Sequence, residues 1–219
     1  MNRFITKIKG RSIPSLYRSL VAKVWDIYYD FKYNIETNTH VQLDNLDLSV
    51  EEKKHYYWYE GTKGLPLKKL FHRLDIAKDS VFVDIGSGKG RVLFIAADYG
   101  FKTIRGVELS SDLCAIAKEN LIRFRRKSGS KAKIEIINKD ALNYNLTNED
   151  VIFLYNPFDE HTLKRLVLKI KDVMTGRNKK LKIIYANDVH RQVIEENMNL
   201  VNVSRMSFYN VGFSIYDVQ

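Results

Sequence analysis

Two periodicities divide the chain. Between residues 81 and 186, short apolar runs alternate with longer stretches in which apolar residues return every three or four positions. The runs predict strands at 81–85, 103–108, 133–138, 150–155 and 181–186, and the stretches predict helices near 89–99, 111–127, 159–174 and 189–197. Regular alternation of this kind means a parallel sheet with helices on both faces. The tail, LVNVSRMSFYNVGFSIYDVQ, holds two strand-like runs only a few residues apart, which predicts an antiparallel hairpin closing the sheet. The expected fold is therefore α/β and doubly wound, a mainly parallel seven-stranded sheet with a C-terminal antiparallel hairpin and an N-terminal helical extension.

The extension has its own pattern. From Ile13 the apolar residues Leu16, Leu20, Val24, Tyr28 and Phe31 recur at helical steps, predicting an amphipathic helix that buries this face against the rest of the chain. A polar stretch at 34–47 precedes LSVEEKKHYYWYEGTKGLPLKKLFHRLDI, where Ser49 with Glu52 has capping-box spacing and Gly61, Gly64 and Pro66 punctuate two short helices. This organises the chain as a helical extension or cap at 1–78 and a sheet domain at 79–219.

Charge adds the question of an acidic partner, because the net charge is +10. Residues 1–25 hold Arg3, Lys7, Lys9, Arg11, Arg18 and Lys23 with no acid, resembling a basic targeting or membrane-surface segment, although the helical pattern runs on beyond them. The run RFRRKSGSKAK at 123–133 is equally acid-free; it reads either as a nucleic-acid contact or as the solvated end of a helix, where cations favour the macrodipole. Lone Cys114 reads as a buried apolar residue of a reducing compartment. The apolar runs at 92–97 and 151–155 are too short to span a bilayer, and no secretory signal opens the sequence, so the expected location is cytoplasmic. His40, His55, His72, His161 and His190 lack metal-ligand spacing, and no metal is expected.

In an open parallel sheet, ligands bind at the carboxyl ends of the strands, near the point where strand order reverses. The first strand ends in VFVDIGSGKGRV, which a phosphate-binding loop would resemble except that Asp84 stands where that pattern needs its first Gly, and Gly90 replaces the magnesium-binding Ser/Thr. A carboxylate there repels pyrophosphate, so the loop suits a ligand carrying positive charge. The next strand ends carry Glu108 with Leu109, Asp140 with Ala141, and the run Tyr155-Asn156-Pro157-Phe158. A dinucleotide site also pairs a glycine loop with an acid, but its glycines follow Gly-x-Gly-x-x-Gly, whereas these stand evenly at 86, 88 and 90.

On these residues the chain resembles the class I S-adenosylmethionine-dependent methyltransferases over about 79–218. Their loop, Asp/Glu-x-Gly-x-Gly-x-Gly, is matched by Asp84, Gly86, Ser87, Gly88 and Gly90. The resemblance implies S-adenosyl-L-methionine as cofactor, with its ammonium group near Asp84, its ribose hydroxyls on Glu108 and its adenine beside Leu109, Asp140 and Ala141. The other reading of Asp140 is a turn or cap residue, and the ligand role is preferred. YNPFDEH is similar to the Asp/Asn-Pro-Pro-Tyr/Phe motif of amino-group methylases with one proline missing, and the glycine-loop region with Asn156 and Phe158 resembles the non-SET lysine methyltransferases. The implied acceptor is a nitrogen, protein lysine included, with Asn156 and Phe158 on its side of the reaction. Asp159 reads as a helix cap. Tyr155, Asp159, Glu160 and His161 are candidate bases by position. Tyr59 and Thr62 lie in the segment that commonly covers the cofactor in this family. The alternatives are O-methylation of a sugar or small metabolite, and a cofactor-binding module that grips nucleic acid without methylating it.

Overall fold

The computed structural model describes residues 12–39, 47, 61–176 and 179–219. In chain order these form α1 (Ile13–Tyr33), α2 (Gly64–Leu74), β1 (Val81–Ile85), α3 (Arg91–Tyr99), β2 (Thr103–Glu108), α4 (Ser111–Ser128) and β3 (Lys133–Asn138). They continue with β4 (Val151–Tyr155), α5 (Glu160–Met174), β5 (Leu181–Ala186), α6 (Arg191–Asn197), β6 (Leu200–Phe208) and β7 (Val211–Val218).

The strands form one seven-stranded sheet in the order β3-β2-β1-β4-β5-β7-β6. β1 pairs in parallel with β2 and with β4, and β7 is antiparallel to both neighbours, β5 and β6. Strand order reverses between β1 and β4, so the loops leaving those two strands meet at one crevice. Successive β1 residues face opposite layers: Phe82 joins a cluster with Phe71, Phe94, Phe101 and Phe153, while Val83 and Ile85 join Ile152, Leu154, Leu166 and Ile183. Burial on both faces is why the central strands read as continuous apolar runs.

α1 docks by the face opposite to the one its apolar spacing selected. Ile13, Leu20, Val24, Tyr28 and Phe31 are exposed and Leu16 is half-buried; Ala22, Asp26, Tyr29 and Tyr33 are buried. The docked face carries polar atoms with partners waiting on α3. The Tyr29 and Tyr33 hydroxyls donate to Asp98 Oδ2 at 3.0 and 2.9 Å. Asp26 pairs with the buried Arg91 at 3.3 Å and accepts from the Gly64 N–H at 2.8 Å. Rings complete the seam, with Trp25 stacked on Tyr29 and Tyr33 tilted against Phe124 of α4. The capping box expected at Ser49 and Glu52 lies outside the described residues.

Burial raises Asp26 to about 6, with the Arg91 guanidinium opposing that shift. A carboxyl whose folded-state value is raised stabilises the fold while it stays protonated, and that contribution is lost as pH rises through the folded value. Between about pH 4 and 6, wild-type stability should therefore fall by a component that an Asp26→Asn variant lacks. Urea unfolding of both proteins across that window measures the difference.

Candidate cofactor and acceptor site

β1 delivers Asp84 to the crevice and runs into a loop with φ of 79° at Gly86, 50° at Gly88 and 89° at Gly90. These left-handed values explain the even glycine spacing. The Gly86 and Ser87 N–H groups donate to the Val107 carbonyl at 2.8 and 3.1 Å, drawing the loop across the end of β2. There the Gly88 N–H donates to Glu108 Oε2 at 2.8 Å and the Ser110 N–H donates to Glu108 Oε1 at 3.0 Å. A carboxylate has roughly four acceptor directions, so these bonds fix its plane without exhausting it.

The loop's cations point elsewhere. Lys89, 2% exposed, reaches back to Glu36 at 2.6 Å and to the Thr39 hydroxyl. Arg91 is held by Asp26, by Asp30 at 3.5 Å, by the Thr37 hydroxyl at 2.6 Å and by the Thr62 carbonyl at 3.3 Å. The basic residues after the glycines thus fasten α1 and the segment after it over the loop. Thr62, expected near the cofactor, has its carbonyl engaged in this anchor, and Tyr59 lies outside the described residues.

What remains in the cradle is acidic. Burial first, and the Glu108 carboxylate second, push Asp84 well above the usual carboxylate range, and nothing cationic faces it among the described residues. Glu108 is raised by burial against the lowering effect of its backbone donors. A buried acid beside a half-buried one fits a ligand that brings a positive charge.

The other expected residues fall around this pair. The Ser87 side chain lies under the loop, where a Cβ on Gly106 of β2 would stand 2.7 Å from Ser87 Oγ, so its outward contribution is backbone. Leu109 follows β2, and its carbonyl accepts from Asn138 Nδ2 at 2.6 Å, a bridge between strand ends that the sequence reading missed. Asp140 caps the 3-10 turn Ala141–Asn143, its Oδ1 accepting from the Leu142 N–H at 2.8 Å. Asp47, also missed, accepts from Ser110 Oγ at 2.7 Å and the Ser111 N–H at 3.1 Å, bracing the start of α4 beside Glu108. Cys114 is buried, and burial first pushes its thiol up to about 11, which suits packing rather than nucleophilic chemistry.

After β4, Asn156 adopts φ 40°, and its Oδ1 accepts from the Tyr185 hydroxyl of β5 at 2.7 Å. Tyr185 looked like one more apolar strand residue in sequence; only strand order brings it beside Asn156. A Cβ on Gly86 would stand 3.0 Å from Pro157 Cβ, so the turn after β4 touches the glycine loop. Phe158 departs from the expected acceptor wall: its ring is 2% exposed and belongs to the cluster of Leu163, Leu166 and Val167, anchoring the turn from below. Asp159 caps α5 by accepting from the Thr162 N–H at 2.8 Å, which commits one of the candidate bases.

The model of the family described as "Histone methylation protein DOT1" matches residues 57–212, more than two thirds of the chain. The chain belongs to the DOT1 family. No curated protein sequence matches it significantly. Among solved structures it is similar to the pyocyanin biosynthetic protein PhzM, at 14% identity and TM-score 0.56 over 71% of this chain and 55% of that one. TrmN from Thermus thermophilus matches at 15% identity and TM-score 0.52, over 70% of this chain and 48% of that one. The ribosomal protein L11 methylase from Lactobacillus delbrueckii subsp. bulgaricus matches at 16% identity and TM-score 0.50, over 70% and 76%. The chain thus spans about half the length of the first two, and these likenesses establish the fold. This DOT1-family chain has a class I, Rossmann-like methyltransferase fold, and the cofactor that the family implies is S-adenosylmethionine. Its residues fit that group: the glycine loop admits close approach, Glu108 offers acceptors for a diol, and the buried Asp84 would be balanced by an ammonium partner.

Proposed function

We propose that the protein transfers the cofactor's methyl group to a nitrogen nucleophile, a protein lysine foremost. The observation that carries this reading is the contact between Pro157 and Gly86, which sets Asn156 at the rim of the cofactor cradle. The family's description as a histone methylation protein supports an amine of a basic protein as acceptor. In this reading Asp84 holds the ammonium group, Glu108 the ribose, and Leu109, Asp140 and Ala141 surround the adenine, with the backbone of the glycine loop and Thr62 completing the cradle. Asn156, oriented by Tyr185, receives the acceptor, and alignment with exclusion of water supplies most of the catalysis. Tritiated methyl transfer to a fractionated lysate tests the acceptor class. Label in protein, released as methyl-lysine on hydrolysis, is the expected result; label confined to nucleic acid or to small molecules overturns it.

Asn156→Ala should keep cofactor affinity and lose roughly tenfold in single-turnover transfer, about 1.4 kcal/mol of barrier. Tyr185→Phe should slow transfer less, and should add little in the Asn156→Ala background because both act through one amide. Normal transfer by a folded Asn156→Ala protein would reduce the turn to architecture.

Cofactor binding should also release protons, since Asp84 and Glu108 are raised in the free protein and an arriving ammonium favours their charged forms. Affinity should accordingly rise with pH through the range in which these acids ionise. Calorimetry in buffers of different ionisation heat measures the release directly.

Nucleic acid is a second reading of the partner, because Arg125, Arg126 and Lys127 stand exposed at the last turn of α4. Under that reading RNA affinity falls steeply with salt, and neutralising Arg123, Arg125 and Arg126 flattens the dependence. Absent binding returns these residues to the solvated helix end.

A further inference from the structure

The outer face of α1 takes no part in the site. Ile13, Tyr17, Leu20, Val24, Ile27 and Phe31 recur at alternating steps of four and three, and all are more than half exposed, Ile13 and Phe31 at 83%. At about 100° of rotation per residue they share with Tyr28 an arc of about 100°, opposite the buried face. Lys23 lies on one flank of this stripe and Lys32 on the other. The acids of α1, Asp26 and Asp30, are turned inward to Arg91, so the flanking lysines set the charge of the outer face, Lys32 donating also to the Tyr33 hydroxyl at 2.9 Å. Beside the Lys32 flank opens a cleft of about 360 Å³, walled by Trp25, Tyr28 and Tyr29 and carrying Lys68 and His72 from α2. Asp98 at its lining already accepts the hydroxyls of Tyr29 and Tyr33.

We infer that α1 is a membrane-surface helix that docks the protein on anionic phospholipid bilayers. Its apolar stripe sinks to the boundary between headgroups and acyl chains, and Lys32 and Lys68 meet the lipid phosphates. The chemistry is that of an interfacial amphipathic helix: a narrow apolar arc, cationic flanks, and aromatic side chains at the depth where an apolar body and a polar tip are both satisfied. Among the described residues no helix is long and apolar enough to cross a membrane, which leaves the surface as its place.

The test is co-sedimentation of the full chain with vesicles of phosphatidylcholine alone and of phosphatidylcholine with phosphatidylglycerol. Binding should require phosphatidylglycerol and weaken with salt. Leu20→Ser with Ile27→Ser should lower partitioning more than about tenfold, and Lys68→Glu by roughly fivefold or more at low salt. Leu20, Ile27 and Lys68 are exposed and take no part in the site, so the thermal unfolding and cofactor affinity of both variants should match wild type. Three outcomes overturn the inference. They are wild type that ignores phosphatidylglycerol, variants that bind as wild type does, and a dimer in sedimentation velocity that the Leu20→Ser, Ile27→Ser pair dissolves.

Discussion

Arg91→Met is expected to destabilise the folded chain by about 3–5 kcal/mol, because it strips the shared counter-charge from Asp26 and Asp30 and leaves two poorly solvated carboxylates facing each other. It also removes the donors to the Thr37 hydroxyl and the Thr62 carbonyl, so the segments flanking the glycine loop loosen with it. Combining Arg91→Met with Asp26→Asn and Asp30→Asn should recover part of the loss, since the unpaired charges go with their partner. Lys89→Ala should cost less, because the Glu36 side chain it meets is nearly half exposed and is resolvated when released. Urea unfolding of the four proteins checks the order. A loss under about 1 kcal/mol for Arg91→Met would mean that α1 docks through its tyrosines and rings alone.

Glu108→Ala should weaken S-adenosylmethionine and S-adenosylhomocysteine alike by about 1–3 kcal/mol, roughly ten- to a hundredfold. Part of the effect is direct loss of the paired acceptors, and part is indirect, because Gly88 and Ser110 lose the carboxylate that sets their N–H groups. Glu108→Gln separates this from mere volume. A carboxamide has one acceptor oxygen, so its NH₂ group must oppose either the Gly88 or the Ser110 N–H, and the variant should bind nearly as poorly as Ala. Calorimetry with both ligands is the measurement. Wild-type affinity in Glu108→Ala would remove Glu108 from the site.

The sheet was legible because its strands are buried on both sides and its helices on one, and those two demands leave different periods in the chain. Strand ends followed from the strands, which is why Asp84, Glu108 and Asn156 could be named as neighbours in the crevice. α1 was legible as a helix but not in its orientation. Spacing reports which face is apolar, whereas docking went to the face whose Asp26, Tyr29 and Tyr33 find Arg91 and Asp98, residues more than 60 positions away. The same blindness hid Tyr185, whose hydroxyl matters only because β5 lies beside β4. Phe158 illustrates the converse error: adjacency to Asn156 in sequence put it near the chemistry, while the turn sends its ring into the core.

The inward turn of Lys89 and Arg91 also bears on competition among adenosine compounds. ATP and NAD share ribose and adenine with the cofactor and differ at the other end, where they carry phosphate rather than an ammonium. A glycine loop that kept its two cations would hold those phosphates. Here both cations are occupied by the segment after α1 and by α1 itself, so in the proposed reading the tail of the ligand meets Asp84. That reading turns phosphorylated nucleotides away by charge, and it makes the docking of the N-terminal helix and the choice of ligand one property of the chain.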